Sequence, residues 1–186
     1  MKNKAHDIGT YQFREGEPLL LDANVWLYLQ PPPSRPHGQT PASVDEYSKA
    51  LKSMLQARTR LLLDVLVLSE YLNAYCRIIW GASHKAAHPE YKTFRKKPVF
   101  LPVGQQAAAE ARRILKICAI ENCPFRDVNI DQILAGFEAG GMDCNDGVLI
   151  ETCRLNGWKF VTHDGDCAEG GIEILTSNRS LLRDCP

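Results

Sequence analysis

The stretch Pro18-Leu19-Leu20-Leu21-Asp22-Ala23-Asn24-Val25-Trp26 constrains the fold more than any other part of the chain. An apolar run with no polar position reads as a strand buried on both faces, as in parallel sheets. It ends at an aspartate, turns helical, and is stopped by Pro31-Pro32-Pro33, since proline cannot continue a helix. The same junction recurs. Leu61-Leu62-Leu63-Asp64 leads into a helix carrying Glu70, Asp143 and Asp146 head another, and Phe160-Val161-Thr162 runs out at Asp164. Strands alternating with helices predict an α/β fold, a three-layer α/β/α sandwich around a mainly parallel sheet. Ligand crevices in such sheets lie outside the carboxyl ends of the strands, so the acids are expected on one edge.

The periodicity predicts strands at 18–21, 60–64, 125–130, 158–162 and 172–175. It predicts helices at 25–29, 43–57 (with Ser43 as N-cap), 65–80, 104–119, 131–138 and 144–155. The chain's 186 residues fit a single domain, 1–186, able to bury a core without disulfides or a structural metal. A proline-rich loop near 31–41 and a basic insertion near 81–103 interrupt the alternation. Seven cysteines, an odd number with no CxxC pair, suit reduced thiols in a cytosol and argue against zinc. The polar N-terminus has no apolar core of a signal peptide, and the apolar run 61–68 is far too short to span a bilayer. The expectation is a soluble, cytoplasmic protein with no membrane partner. With 22 basic and 22 acidic residues, net charge argues neither for nor against a polyanionic ligand, and only local patches can decide.

Each acid has a structural explanation of its own. Asp22 can cap the helix that follows it, and Asn24 can form the turn. Glu70 can be a solvated helix residue; Asn73, three positions on, shares its side of the helix and can orient it. Asp143 and Asp146 fit a variant capping box, favoured by the helix dipole. Asp164 and Asp166, in Thr162-His163-Asp164-Gly165-Asp166, fit a turn, with His163 a loop residue. Their coincidence on one edge points to chemistry. Two carboxylates about 4 Å apart repel by ~4 kcal/mol at an effective dielectric near 20. A cluster without a cation therefore raises its own pKa values, whereas Mg²⁺ or Mn²⁺ reverses the sign of the interaction.

Leu-Leu-Leu-Asp22-Ala-Asn24, Leu-Ser-Glu70-Tyr-Leu-Asn73, Asp143-Cys-Asn-Asp146-Gly-Val-Leu-Ile and Phe-Val-Thr-His-Asp164-Gly-Asp166, in that order, resemble the PIN-domain family of metal-dependent ribonucleases, which includes the VapC-like toxins. The resemblance spans Leu19 to about Leu175. It implies an acidic pocket binding Mg²⁺ or Mn²⁺, endonucleolytic hydrolysis of RNA, and the toxin role in a type II toxin–antitoxin pair, with an antitoxin partner and a homodimer. Carried over by motif, Asp22, Glu70, Asp146 and Asp164 are the catalytic acids and metal ligands. Asp143 and Asp166 are additional or alternative metal ligands, and Asn24 and Asn73 orient the acids from behind. The insertions depart from a minimal family member. Lys85, Lys92, Arg95, Lys96 and Lys97 stand against the single acid Glu90 in 81–103. This segment reads either as a grip on an RNA backbone, with Tyr91 or Phe94 stacking on a base, or as a solvated loop. His84 and His88 read as surface residues. Two rival functions remain: a PIN-like RNA-binding or scaffold protein without catalysis, and a haloacid-dehalogenase-type phosphatase with Asp22 as nucleophile. The second normally offers another aspartate where this chain has Asn24.

Overall fold

A computed structural model describes residues 1–33 and 42–186. Most of the expected proline-rich loop, 34–41, lies outside the described residues. Six strands form one sheet: β1 (Lys4–Asp7), β2 (Pro18–Leu21), β3 (Arg60–Leu63), β4 (Ala119–Ile120), β5 (Lys159–Val161) and β6 (Glu173–Thr176). Their order is β1-β6-β5-β2-β3-β4, and every neighbouring pair is parallel. The sheet is therefore wholly parallel where a mainly parallel one was expected. Leu19, Leu20, Leu21, Leu62, Phe160, Val161, Ile174 and Leu175 are buried, which explains why these strands carry no alternating polar positions.

The helices are α1 (Ala23–Leu29), α2 (Ala42–Gln56), α3 (Val65–Ile79), α4 (Tyr91–Phe94), α5 (Leu101–Leu115), α6 (Ile130–Glu138), α7 (Cys144–Asn156) and α8 (Arg179–Asp184). α1 buries Ala23, Val25 and Trp26 and stops before Pro31. Ser43 lies inside α2 and does not cap it. α7 ends at Gly157, whose φ of 65° is the left-handed conformation that glycine adopts without a Cβ clash. Among the described residues no helix is long and apolar enough to cross a membrane.

Two expected elements differ from the structure, and two strands were not foreseen. Residues 125–130 form no strand; short turns lead directly into α6, because Asn129 caps that helix by accepting from the Gln132 N–H at 3.2 Å. The helix expected over 104–119 begins at Leu101, entered through a 3-10 turn at Pro98–Phe100, and ends at Leu115. Ala119–Ile120 pairs instead as an edge strand, too short for a periodic signal. The polar N-terminus forms β1, held at the sheet's other edge beside β6.

The two ends of the sheet are electrostatic opposites. At the amino ends, Lys159 Nζ contacts Glu173 Oε2 at 2.6 Å and Glu17 Oε1 at 3.0 Å, and donates to the Tyr11 hydroxyl at 2.7 Å. That ammonium, carried by β5, pairs with acids at the β2 and β6 ends; it holds Glu173 low, and together with the Tyr11 hydroxyl it holds Glu17 low against the effect of burial. The carboxyl ends hold acids that, among the described residues, form no ion pair. β2 is followed on one side by β3 and β4, and on the other by β5 and β6, so the chain reverses its march between β2 and β5. A crevice opens at such a reversal.

Candidate metal centre

Asp22 stands at this reversal point, 3% exposed. It caps α1, its Oδ1 accepting from the Ala23 N–H at 2.6 Å. Its Oδ2 accepts from the Thr162 hydroxyl at 2.7 Å and from the Asn24 side-chain amide. Asn24 in turn accepts from the His163 N–H at 3.2 Å, and the Thr162 hydroxyl accepts from the Asp164 N–H at 3.0 Å. These bonds lace the ends of β2 and β5 together and fix the Asp22 carboxylate in one orientation. Burial, with the negative charges of Glu70 and Asp164, pushes Asp22 up to about 6, against the hydrogen bonds from Thr162 and Ala23 that pull it down.

The other acids arrive from three directions. Asp143 caps α7, accepting from the Asn145 N–H at 2.8 Å, and Asp146 lies in the first turn. Burial and the charges of Asp22, Asp164, Asp143 and Asp166 push Asp146 up to about 7. Glu70, on α3, is raised by lost hydration and by Asp146, Asp143 and Asp164. Its side chain is nevertheless solvent-exposed, so the raising reflects the neighbouring acids converging on it as well as lost water. Asp164 is half-buried after β5 and accepts from the Asp166 N–H at 2.9 Å; Asp166 itself is exposed. All six acids named from the sequence thus act on one another. Among the described residues none of the six forms an ion pair with Lys, Arg or His.

Asp64 shows that the leucine-run junction alone does not define the site. It is 1% exposed and caps α3, but both its oxygens go to backbone: Oδ1 to Leu66 N–H at 2.7 Å and Oδ2 to Cys123 N–H at 2.8 Å. The second bond ties the loop after β4 to the β3–α3 turn. Asp64→Ala orphans two N–H groups and is expected to cost ~2–4 kcal/mol in urea unfolding. An unchanged unfolding midpoint would show that solvent replaces those bonds.

Of the two asparagines expected to orient the acids, one does so. Asn24 does orient Asp22, but Asn73 is exposed and makes no side-chain hydrogen bond to Glu70 among the described residues. Thr162 takes the more central place, bonding Asp22 and the Asp164 backbone at once. A threonine ending a strand just before the acidic turn was the available signal, masked because threonine is common in strands. His163 is packed edge-on against Tyr28 and Tyr47, with Nδ1 3.2 Å from the Tyr47 hydroxyl. Burial lowers the imidazole against the raising charges of Glu46 and Asp164.

The donor set fits a hard divalent ion: it is all carboxylate oxygen, without thiolate or imidazole among the six. Among the described residues no three His, Cys, Asp or Glu side chains form a closed ligand group. Mg²⁺ keeps several waters and is held by one or two carboxylates, so the fit rests on Asp22 and Asp146, with the other acids adding negative charge around them. A carboxylate offers about four acceptor sites, and among the described residues Asp22 uses three, on Oδ1 once and on Oδ2 twice.

No protein-family profile matches the chain, and no curated protein matches it. Solved structures do. VapBC2 from Rickettsia felis, crystallised bound to a DNA fragment from their promoter, aligns over 86% of this chain and 98% of its own at 14% identity and a TM-score of 0.51. PAE2754 from Pyrobaculum aerophilum aligns over 91% of this chain and 96% of its own at 16% identity and a TM-score of 0.44. The fold is a VapC-like PIN-domain fold, as the order of the acidic motifs implied.

Proposed function

We propose that this chain is a Mg²⁺- or Mn²⁺-dependent endoribonuclease, acting as the toxin of a type II toxin–antitoxin pair. The observation that carries the reading is the convergence of Asp22, Glu70, Asp146 and Asp164 at the sheet's reversal point, where burial and mutual repulsion raise Asp22 and Asp146 and, among the described residues, no ion pair offsets them. Such a site costs stability as built, which favours a bound cation as its purpose. Asp22 and Asp146 would hold the ion, with Asp164 and Glu70 completing the negative pocket and Asp143 and Asp166 at its rim. A divalent ion there supplies Lewis acidity toward a phosphodiester and a water made acidic enough to attack it. The protein's own share is orientation: Thr162 and Asn24 hold Asp22 in place, and the capped start of α7 holds Asp146. The likeness to VapBC2 supports an antitoxin partner, and we extend the reading to a cytoplasmic homodimer acting on RNA.

The test is incubation of single-stranded RNA with the protein in Mg²⁺, in Mn²⁺ and in EDTA, beside calorimetric titration of Mn²⁺. Internal cleavage that EDTA abolishes, with stoichiometric Mn²⁺ binding, is expected. Neither cleavage nor stoichiometric metal binding would mean an inert RNA-binding or scaffold protein on the same fold.

A further inference from the structure

The basic insertion is neither a loop nor a stacking platform. α3 runs without a break into a π-helical turn at Trp80–His84, and α4 follows. Phe94 is fully buried, with His84 stacked on it at 4.8 Å, His88 at 5.8 Å and Phe100 edge-on at 5.6 Å. The Trp80 indole N–H donates to the His88 carbonyl at 2.8 Å, and the Arg77 guanidinium lies 4.5 Å from the Tyr91 ring centre. Tyr91 is 8% and Phe94 0% exposed, so neither can stack on a base, and the two histidines are packing residues that brace the turn. The aromatics build a rigid knuckle whose outer face is cationic.

Lys85, Lys92, Arg95, Lys96 and Lys97 are all exposed, Lys85 lying 5.7 Å from the Trp80 ring centre. Among the described residues none of the five forms an ion pair. The one neighbouring acid, Glu90, turns to the Thr93 hydroxyl at 3.2 Å. The segment holds five of the chain's 22 basic residues and one of its 22 acids, so this cationic face is local in an otherwise acid-leaning chain. Four exposed cations within the six positions 92–97, on a segment anchored by buried Tyr91 and Phe94, favour a polyanion.

We infer that this knuckle grips the phosphate backbone of a single-stranded RNA whose scissile phosphate lies at the acids, an inference that rests on the ribonuclease reading. Glu70 and Trp80 are ten residues apart on one continuous helix, about 15 Å along its axis. With one phosphate per strand about every 3.4 Å of duplex rise, the gap corresponds to about four phosphates, and to fewer in an extended strand. The contacts are to phosphate alone. The grip therefore adds affinity and sets which length of strand reaches the acids, without reading its sequence.

The test compares the full chain with the variant Lys92→Ala/Arg95→Ala/Lys96→Ala/Lys97→Ala, binding a fluorescein-labelled 20-nucleotide RNA of mixed sequence. Anisotropy is read in EDTA, so that no cleavage occurs, across a KCl series. For four lost phosphate contacts the slope of log K against log[KCl] is expected to shrink by about 2.8, at ~0.7 per contact on a single strand. Affinity at 100 mM KCl should fall at least tenfold. The substituted residues are exposed, and an unchanged circular dichroism spectrum and Tm shows that the variant folds. An unchanged slope and an affinity within twofold of wild type overturn the inference and leave the knuckle as solvated surface. Equal competition by poly-glutamate and by unlabelled RNA also overturns it, in favour of an acidic protein partner. A wild type that binds RNA with the steep slope but never cleaves it sinks the ribonuclease reading and leaves the grip standing.

Discussion

Asp146→Asn is expected to abolish RNA cleavage and, in the metal-free protein at pH 7.5, to raise the melting temperature. The two effects have one cause. Asp146 accepts no side-chain hydrogen bond among the described residues, so asparagine removes its charge without orphaning a donor. What it removes is a carboxylate that burial and four neighbouring acids push up to about 7. Without metal that charge is a burden, and relieving ~1–2 kcal/mol of repulsion raises Tm by roughly 2–8 °C in a chain of this size. With metal the same charge is the ligand. Losing several kcal/mol of transition-state stabilisation slows cleavage on the order of 10³-fold. Asp22→Asn should be as inactive but less stable than Asp146→Asn, because its new amide N–H₂ would face the Thr162 and Asn24 donors. Wild-type cleavage by Asp146→Asn would remove Asp146 from the site, and a lower metal-free Tm would show a structural role for its charge.

The difference between Asp22 and Asp64 marks how far the site was legible. Both end a leucine run, both cap a helix and both are buried, so their local sequences carry the same signal. What separates them is sheet order. β2 borders the strand that brings Asp164, whereas Asp64 at the end of β3 faces the Cys123 backbone, and strand order is a long-range property that no window of sequence contains. The central strands and α3, α5 and α7 were legible because burial writes itself as unbroken apolar runs and 3.6-residue stripes. β1 and β4 were not. One is polar at an edge and the other two residues long, and their pairing is dictated by neighbours. The insertion hid its order for another reason. Its core is built from histidines and aromatics between lysines, a composition that reads as surface until Phe94 is seen at its centre.

Between pH 5 and 8 the metal-free protein is expected to lose stability as pH rises, and Mn²⁺ to abolish that loss. An unfolded aspartate gives up its proton near 3.8, whereas folded Asp22 holds it to about 6 and folded Asp146 to about 7. Between those values the folded state binds more protons than the unfolded one, so its stability falls with rising pH. The contribution is fully present below 3.8 and gone above about 7. For Asp22, nearly all buried, the shift corresponds to about 3 kcal/mol at 1.36 kcal/mol per pKa unit. Asp146 adds less than its larger shift implies, because water screens its exposed portion. Above pH 5 about 1.4 kcal/mol of the Asp22 contribution remains to be lost, and screened Asp146 loses a comparable amount, so a Tm decrease of roughly 6–11 °C from pH 5 to pH 8 follows. Glu17 and Glu173 oppose this trend only in more acid solution. The Tyr11 hydroxyl and Lys159 hold Glu17, and Lys159 holds Glu173, below the ordinary 4.5, so their contribution is lost as pH falls beneath that value. Bound Mn²⁺ favours the ionised carboxylates, so 1 mM Mn²⁺ should raise Tm strongly at pH 7.5 and little at pH 5, where protons compete for the same oxygens. Asp146→Asn should flatten the metal-free slope and shrink the Mn²⁺ gain. A Tm that is level or rising from pH 5 to 8, or a Mn²⁺ gain equal at both pH values, would separate the acidic cluster from metal binding altogether.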